Sequence, residues 1–572
     1  MPKPSKALAA VLVAAILLCW VNLRSDPPWD NFVGEFTDEA QYSANVQYLL
    51  KTGRWQIDWL NNLWNTPLYQ LTCLISAKLL GGGVAFPRLV AAAAATSCLL
   101  AVAWFCLRVW GAAHAAWAVA LLALNPLFFA LHRSFGPEVQ AAAFLCAGYA
   151  FALRRTSKAM LLAGLLLALA VLSKLSAAYA LPGVFLFLLI DEGTKGRRAA
   201  LLRALATPLF LIGAAFVFYC ITRSDAFRAH RDLQLSISAK ALRLPPIQRY
   251  WWVYLGTRLL RAPGAWLPIA AIVPWLVRRL DVKPGSAPPD EDKQQANSAG
   301  DMDGRAAERL LLCWIVGILV MVLISPENAD RRLVYAVFPL CMVVPGALKS
   351  PSDGQRPGWT RAGWLLFGSL AAYVSILAAL SATCYARYWE HCSQHFGRDI
   401  HVSMTLVFIL TGAVALAAML ASRRFSSGFR KGWLAVYLAL GALSIGSVAL
   451  RPSYTVLSAS RKLSEYVRAG DAFLFWQVHG DHGFVLTLDT EAVPVMIPRW
   501  GDSDRSAIPG LYERRAMSAT VYRRTPWDWR PLAGVPGAQA PIEEFRLELV
   551  PNPLGVCSHS IDVCIYARRD ER

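Results

Sequence analysis

Apolar runs long enough to cross a bilayer recur along most of this chain, and they confine it to a helical membrane fold. A membrane span needs about 20 apolar residues. Inside lipid, only helices and closed barrels satisfy every backbone polar group. Spans are expected at 7–23, 86–107, 113–131, 138–153, 159–173, 176–190, 201–222, 264–280, 309–325, 333–348, 362–383, 403–421 and 432–450, about thirteen in all. Composition agrees: 56% of the 572 residues are hydrophobic, 17% are charged, and mean hydropathy is +0.39. An ordinary soluble domain is excluded. The first run, Leu8–Leu23, follows Lys3 and Lys6 and lacks a convincing small-x-small cleavage site. It therefore reads as a retained first helix rather than a signal peptide.

Basic residues fix an orientation. With the N-terminus inside, the cytoplasmic turns carry Arg108, then Arg154, Arg155 and Lys158, then Lys195, Arg197, Arg198 and Arg203. Arg278, Arg279 and Lys283 follow, then Lys349, Arg356 and Arg361, and finally Arg423, Arg424, Arg430 and Lys431. This is the positive-inside pattern, and it puts the tail from about Arg451 outside. The net charge of +19 is thus accounted for by loops and lipid headgroups, without nucleic acid. Cysteine usage fits. Cys19, Cys73, Cys98, Cys106, Cys146, Cys220, Cys313 and Cys341 lie in apolar segments, where a thiol is a small hydrophobe. Cys384/Cys392 and Cys557/Cys564 form close pairs on the expected outside, where at least one disulfide is expected.

Polar stretches divide the chain. A transmembrane unit covers 1–450, and a small α/β unit of outside strands and turns covers 451–572. Ala472–Trp476 and Phe484–Leu488 read as strands there. Residues 24–85 form a first outside loop with amphipathic helices at Glu39–Leu50 and Leu68–Leu80. Residues 223–263 form a basic outside loop with Tyr250, Trp251, Trp252 and Tyr254, expected either to order over a bound anionic ligand or to rest as a static basic patch on anionic headgroups. Residues 281–308 read as a cytoplasmic linker.

On this topology several ionisable groups fall at the outer boundary. Asp38 and Glu39 open the first loop helix, with Tyr42 one turn on. They suit a general base poised to take a proton; an acidic helix cap is the plain alternative. Arg88 begins a span, and Arg133 and Glu138 share a tight turn, where they could simply pair with each other. Lys174 separates two spans and could merely snorkel. Arg331 and Arg332 precede Tyr335. Guanidinium groups suit phosphate oxygens, though headgroup anchoring would also explain them. Ionisable residues at membrane depth are a functional hypothesis by default, and five stretches on one face suggest a cavity for a phosphate-bearing ligand. His391 and His395 could bind a metal if helical, but a disulfide competes for that segment. His479-Gly480-Asp481-His482 reads as a polar turn. No Walker loop or dinucleotide fingerprint is present.

In their order these motifs resemble the GT-C membrane glycosyltransferases, which include protein O-mannosyltransferase relatives and the lipid A aminoarabinose transferases. Thr37-Asp38-Glu39-Ala40-Gln41-Tyr42 resembles the family's acidic loop motif, and Asn65-Thr66-Pro67-Leu68-Tyr69 the second half of its His-Pro-Pro-Leu-Tyr stretch. Pro87-Arg88-Leu89, Pro126…Arg133…Glu138, Ser173-Lys174-Leu175 and Arg331…Tyr335…Pro339 follow in the family's order. The resemblance implies a GT-C fold and inverting transfer of a sugar from a polyprenyl-phosphate donor to a lipid, glycan or protein acceptor. The reaction would take place at the outer face of a bacterial inner membrane. It implies Asp38 as the base, with Glu39, Tyr42, Arg88, Arg133, Glu138, Lys174, Arg331, Arg332 and Tyr335 binding substrate. No cofactor is required by the residues, and a divalent metal stays open. Rival classes are a lipid-linked oligosaccharide polymerase or flippase and a transporter. A transporter would more often show broken helices with mid-span charges, whereas here the charges sit at span ends.

Overall fold

The computed structural model describes residues 5–25, 37–53, 66–81, 85–133, 136–222, 304–324 and 334–347, with isolated positions between 438 and 464. Toward the C-terminus it describes 467–476, 490–497, 516–523, 547–549 and 561–568. The spans expected at 264–280, 362–383 and 403–421, most of 432–450, and the basic loop 223–263 lie outside these residues. So do Arg331, Arg332, Cys384, His391, Cys392, His395, His479, His482 and Cys557.

Apolar runs without period-two alternation, and the more polar stretch Thr37–Thr52, fold as helices. In order these are α1 (Lys6–Trp20), α2 (Thr37–Thr52), α3 (Pro67–Leu80), α4 (Ala85–Trp110), α5 (Ala112–Ala123), α6 (Pro126–Arg133), α7 (Pro137–Ala152) and α8 (Ser157–Ser173). A 3-10 turn at Leu175–Ala180 leads into α9 (Leu181–Ile190), followed by α10 (Arg198–Thr222), α11 (Gly304–Ile324) and α12 (Val334–Ala347). Both α4 and α10 are long and apolar enough to cross a membrane. Large apolar side chains of α10, among them Phe210, Leu211, Phe218 and Ile221, are exposed, which suits a helix facing lipid.

One expected span is divided. The run 113–131 breaks into α5 and α6 at Asn125-Pro126. Proline cannot continue a helix but suits its first position. The Asn125 Oδ1 caps the new helix by accepting from the Phe128 backbone N–H at 3.0 Å.

The bundle is held by close crossings. A Cβ at Gly183 would lie 2.7 Å from the Cys313 carbonyl oxygen, and one at Gly317 would lie 2.7 Å from the Gly183 nitrogen. Only glycine lets α9 and α11 approach so closely, as small residues do at membrane helix interfaces. Beside that crossing Tyr149 stacks on Trp314, ring centroids 4.1 Å apart, and donates to the Ala180 carbonyl. The eight cysteines of the apolar segments are all buried free thiols.

Short turns make neighbouring helices antiparallel, so the bundle has two chemically distinct ends. The upper end holds the finish of α1 and α8 and the start of α4, α7 and α12. The lower end holds the α7–α8 and α9–α10 turns and the start of α11. There Asp191, fully buried, meets Arg155 (Nε–Oδ2 2.9 Å) and Arg309 (Nη1–Oδ1 3.3 Å).

Among the described residues five strands form one mixed sheet: β1 (Ala472–Trp476), β2 (Val493–Ile497), β3 (Ala516–Arg523), β4 (Leu547–Leu549) and β5 (Ile561–Arg568). Their order is β2-β1-β3-β5-β4. β1 pairs in parallel with β2 and β3, while β5 runs antiparallel to β3 and β4. β1 is the strand expected at Ala472–Trp476; the run Phe484–Leu488 lies outside the described residues. The sheet touches α2, where Lys51 Nζ donates to the Ala492 carbonyl at 2.6 Å.

Candidate active site at the upper end

The upper end gathers most of the ionisable residues singled out in the sequence. α8 stops at Ser173. Lys174 leaves the helix with extended backbone, φ −157°, before the 3-10 turn begins. Glu138 sits in the first turn of α7, where a negative charge complements the helix dipole. Lys174 Nζ lies 3.7 Å from Glu138 Oε1, and both residues are buried, at 7% and 3% exposure. At that distance the contact is ionic rather than a hydrogen bond. Tyr335, at the start of α12 and fully buried, brings its hydroxyl 3.4 Å from Ser176 Oγ, two residues past Lys174. Gln140, one half-turn beyond Glu138, exchanges a hydrogen bond with Thr72 of α3 at 3.3 Å.

Arg88 and Arg133 are buried as well, but they grip the protein. Arg88 Nη1 donates to the Leu23 carbonyl at 2.8 Å and to the Ser25 carbonyl at 2.5 Å. Arg133 donates to the Val21 and Asn22 carbonyls and, at 2.6 Å, to Ser25 Oγ. The two guanidinium groups clasp the stretch where α1 has ended and the chain turns toward α2.

Residues 65–221 match the dolichyl-phosphate-mannose-protein mannosyltransferase family. That segment includes α3 to α9 and carries Arg88, Arg133, Glu138 and Lys174. In structure the chain is similar to ArnT from Cupriavidus metallidurans bound to undecaprenyl phosphate. The TM-score is 0.56 at 16% identity, over 97% of each chain. The apo state of the same protein gives a TM-score of 0.53 at 15% identity, again over 97% of each chain. The chain has the GT-C fold. Comparison with curated proteins returned no match.

In this fold the structure brings together Glu138, Lys174 and Tyr335 at one end of the bundle. Asp38 and Glu39 lie in the first turn of α2 and Tyr42 in its second. α2 packs on α3, and α3 in turn packs on α4 and α8. Among the described residues no group of three His, Cys, Asp or Glu side chains comes together to hold a metal ion.

Sequence reasoning did not single out Ser25, Gln70, Gln140 or Ser176. The one available signal was Gln70, an amide in an otherwise apolar helical stripe. It is fully buried, yet among the described residues neither its Oε1 nor its Nε2 has a hydrogen-bond partner. Leaving such a group unpaired costs about 1–3 kcal/mol. His132, also buried, bonds the Phe128 carbonyl through Nδ1 at 2.9 Å and leaves Nε2 unpartnered.

The clasp can be told apart from direct substrate binding. Arg133→Met is expected to lower stability by about 1.5–3 kcal/mol, the scale of hydrogen bonds to a charged donor, while affinity for undecaprenyl phosphate per folded molecule holds. Thermal unfolding and lipid binding are measured on the same preparation. A stable variant with lost lipid affinity would return Arg133 to the ligand.

Proposed function

We propose that this chain transfers a sugar from a polyprenyl-phosphate donor to a lipid, glycan or protein acceptor, inverting the anomeric carbon. The reaction takes place at the outer face of the bacterial inner membrane, with about thirteen spans, the C-terminal unit and the upper end all facing outward. The observation that carries this reading is the buried Lys174 beside Glu138 at the upper end, on a fold shared with a protein solved with undecaprenyl phosphate.

In the proposed reaction an acceptor hydroxyl or amine attacks C1 of the sugar from the face opposite the phosphate. The new bond to C1 forms as the C1–O(phosphate) bond breaks, and a single displacement of this kind inverts C1. The acceptor proton passes to the Asp38 carboxylate, and the bonding electron pair leaves with the polyprenyl phosphate. The departing phosphate gains negative charge, which Lys174, Arg331 and Arg332 are placed in sequence to receive; preorganised cations at a developing anion are a large catalytic term. Glu138 holds Lys174 in position until the phosphate arrives. Tyr335, Tyr42 and Glu39 line the donor and acceptor approaches, and loop 223–263 closes over the lipid phosphate, keeping water from the sugar.

Charge removal tests the phosphate site. Lys174→Ala and Arg331→Ala are each expected to weaken undecaprenyl phosphate binding about tenfold or more, the scale of a lost charge-assisted contact. Arg332→Ala should weaken it less if Arg331 makes the direct contact. Binding to the purified protein in nanodiscs reads the result, and unchanged affinity in all three variants would move the phosphate elsewhere. Comparing the lipid A, glycan and glycoprotein profiles of a deletion strain with its parent identifies the acceptor.

A further inference from the structure

Helix α3 buries one edge, comprising Tyr69, Gln70, Cys73 and Ala77. The polar groups beside Gln70 are satisfied. Tyr69 Oη reaches the Pro87 carbonyl at 3.5 Å, Thr72 pairs with Gln140, and Ser76 Oγ donates to the Phe86 carbonyl at 3.3 Å. These bonds turn the Tyr69, Thr72 and Ser76 side of α3 toward α4 and α7. Gln70 and Cys73 lie on the adjoining edge of the helix, and among the described residues α3 also packs on α2 and α8. α2 begins at Thr37-Asp38, and α8 ends beside Lys174. The buried amide of α3, which lacks a partner among the described residues, therefore sits on a helix that packs on both the helix of the proposed base and the helix that ends at the proposed phosphate ligand.

We propose that Gln70 is a specificity-determining residue that receives neighbouring hydroxyl groups of the donor sugar. This rests on the glycosyl-transfer reading above. A carboxamide presents an acceptor oxygen and donor N–H groups side by side. An ionised phosphate can only accept, and a prenyl chain does neither. Adjacent hydroxyls of a sugar both donate and accept, so they match each half of the amide. A buried polar group left unpaired in the free protein and paired in the complex adds its desolvation to discrimination between ligands.

The test separates fold from function. Gln70→Leu removes an unpaired polar group at similar volume, so the ligand-free variant is expected to unfold at or above the wild-type temperature. Gln70→Met serves as a second apolar variant should leucine's branching disturb packing. Binding to protein in nanodiscs is measured with undecaprenyl phosphate alone and with a panel of undecaprenyl-phosphate-linked hexoses and pentoses. Both variants should bind undecaprenyl phosphate as the wild type does. For the sugar lipid that the wild type prefers over undecaprenyl phosphate, their affinity should fall about tenfold, the worth of one to two buried neutral hydrogen bonds. Wild-type affinity for that sugar lipid in both variants overturns the proposal, as does a wild type that gains nothing from any sugar. Early unfolding of both ligand-free variants also overturns it, because the amide then serves the fold. If wild type and Lys174→Ala alike bind no member of the set, the donor reading itself fails. That result differs from loss of the sugar contribution alone.

Discussion

Asp38→Asn is expected to lower sugar transfer by about a hundredfold or more, the usual cost of a lost general base, in a chain that still inserts and folds. The second half of this expectation follows from how α2 is held. Among the α2 side chains that are described, Asn45, Val46, Gln47 and Tyr48 are buried. Its far end is moored by Lys51 to the Ala492 carbonyl, and Thr52 Oγ1 closes the last turn on the Tyr48 carbonyl at 2.7 Å. Asp38 sits at the opposite end, in the first turn. A carboxylate in the first turn of a helix supports it through the dipole, worth about 0.3–1 kcal/mol. Losing that charge should therefore leave thermal unfolding nearly unchanged while removing the proton acceptor. Glu39→Gln, one position on, should lose several-fold less activity. The assay follows consumption of an undecaprenyl-phosphate-linked sugar by purified variants. Normal turnover in Asp38→Asn would remove this residue from the chemistry, whatever happens at Lys174.

The helical membrane fold was legible because lipid imposes it. Apolar runs at 86–107 and 201–222 leave no alternative to α4 and α10, and the basic turns alternate as the helix ends do. The break between α5 and α6 was also written in the chain, as Asn125-Pro126, but a hydropathy window averages over such a pair. The partners of polar side chains were less visible. Arg88 and Arg133 look like phosphate ligands by residue type, because any guanidinium at a membrane boundary does. Their acceptors are backbone carbonyls at positions 21–23 and 25 together with a serine hydroxyl. A carbonyl belongs to every residue, so no sequence pattern marks it as an arginine's target. The Lys174–Glu138 pair was half visible. Each residue stood out as a charge near an apolar run, but their meeting depends on α7 and α8 being antiparallel neighbours with ends in register. Asp191 was passed over because an acid after an apolar run is ordinary at a helix end, and its arginines come from two other parts of the chain.

Asp191→Asn is expected to destabilise the bundle by about 3–5 kcal/mol, the usual result of removing one partner from a buried ion pair. Its carboxylate is fully buried. It receives Arg155 through a 2.9 Å ionic contact at Nε and a hydrogen bond from Nη2 at 3.2 Å, and Arg309 through Nη1 at 3.3 Å. The residue's carbonyl adds bonds from Thr194 Oγ1 at 2.6 Å and Arg198 at 3.4 Å. Asparagine keeps the shape and those carbonyl bonds but removes the Asp191 charge that faces the largely buried Arg155. The arms of the cluster should not contribute equally. The Arg309 side chain is 39% exposed, so water and salt already screen it, and Arg309→Met should cost only about 0–1 kcal/mol. The double variant Asp191→Leu/Arg155→Met removes both buried charges and should recover much of what Asp191→Asn loses, since an apolar pair often equals a buried ion pair in stability. Unfolding in mixed micelles measures all three. Equal stability of Asp191→Asn and wild type would mean the carboxylate is dispensable to the lower end. The cluster ties the α7–α8 turn, the end of α9 and the start of α11 at the end of the bundle opposite Lys174. Activity per folded molecule should therefore survive in Asp191→Asn even as the folded fraction falls, and that separation distinguishes a brace for the helix ends from a part of the reaction.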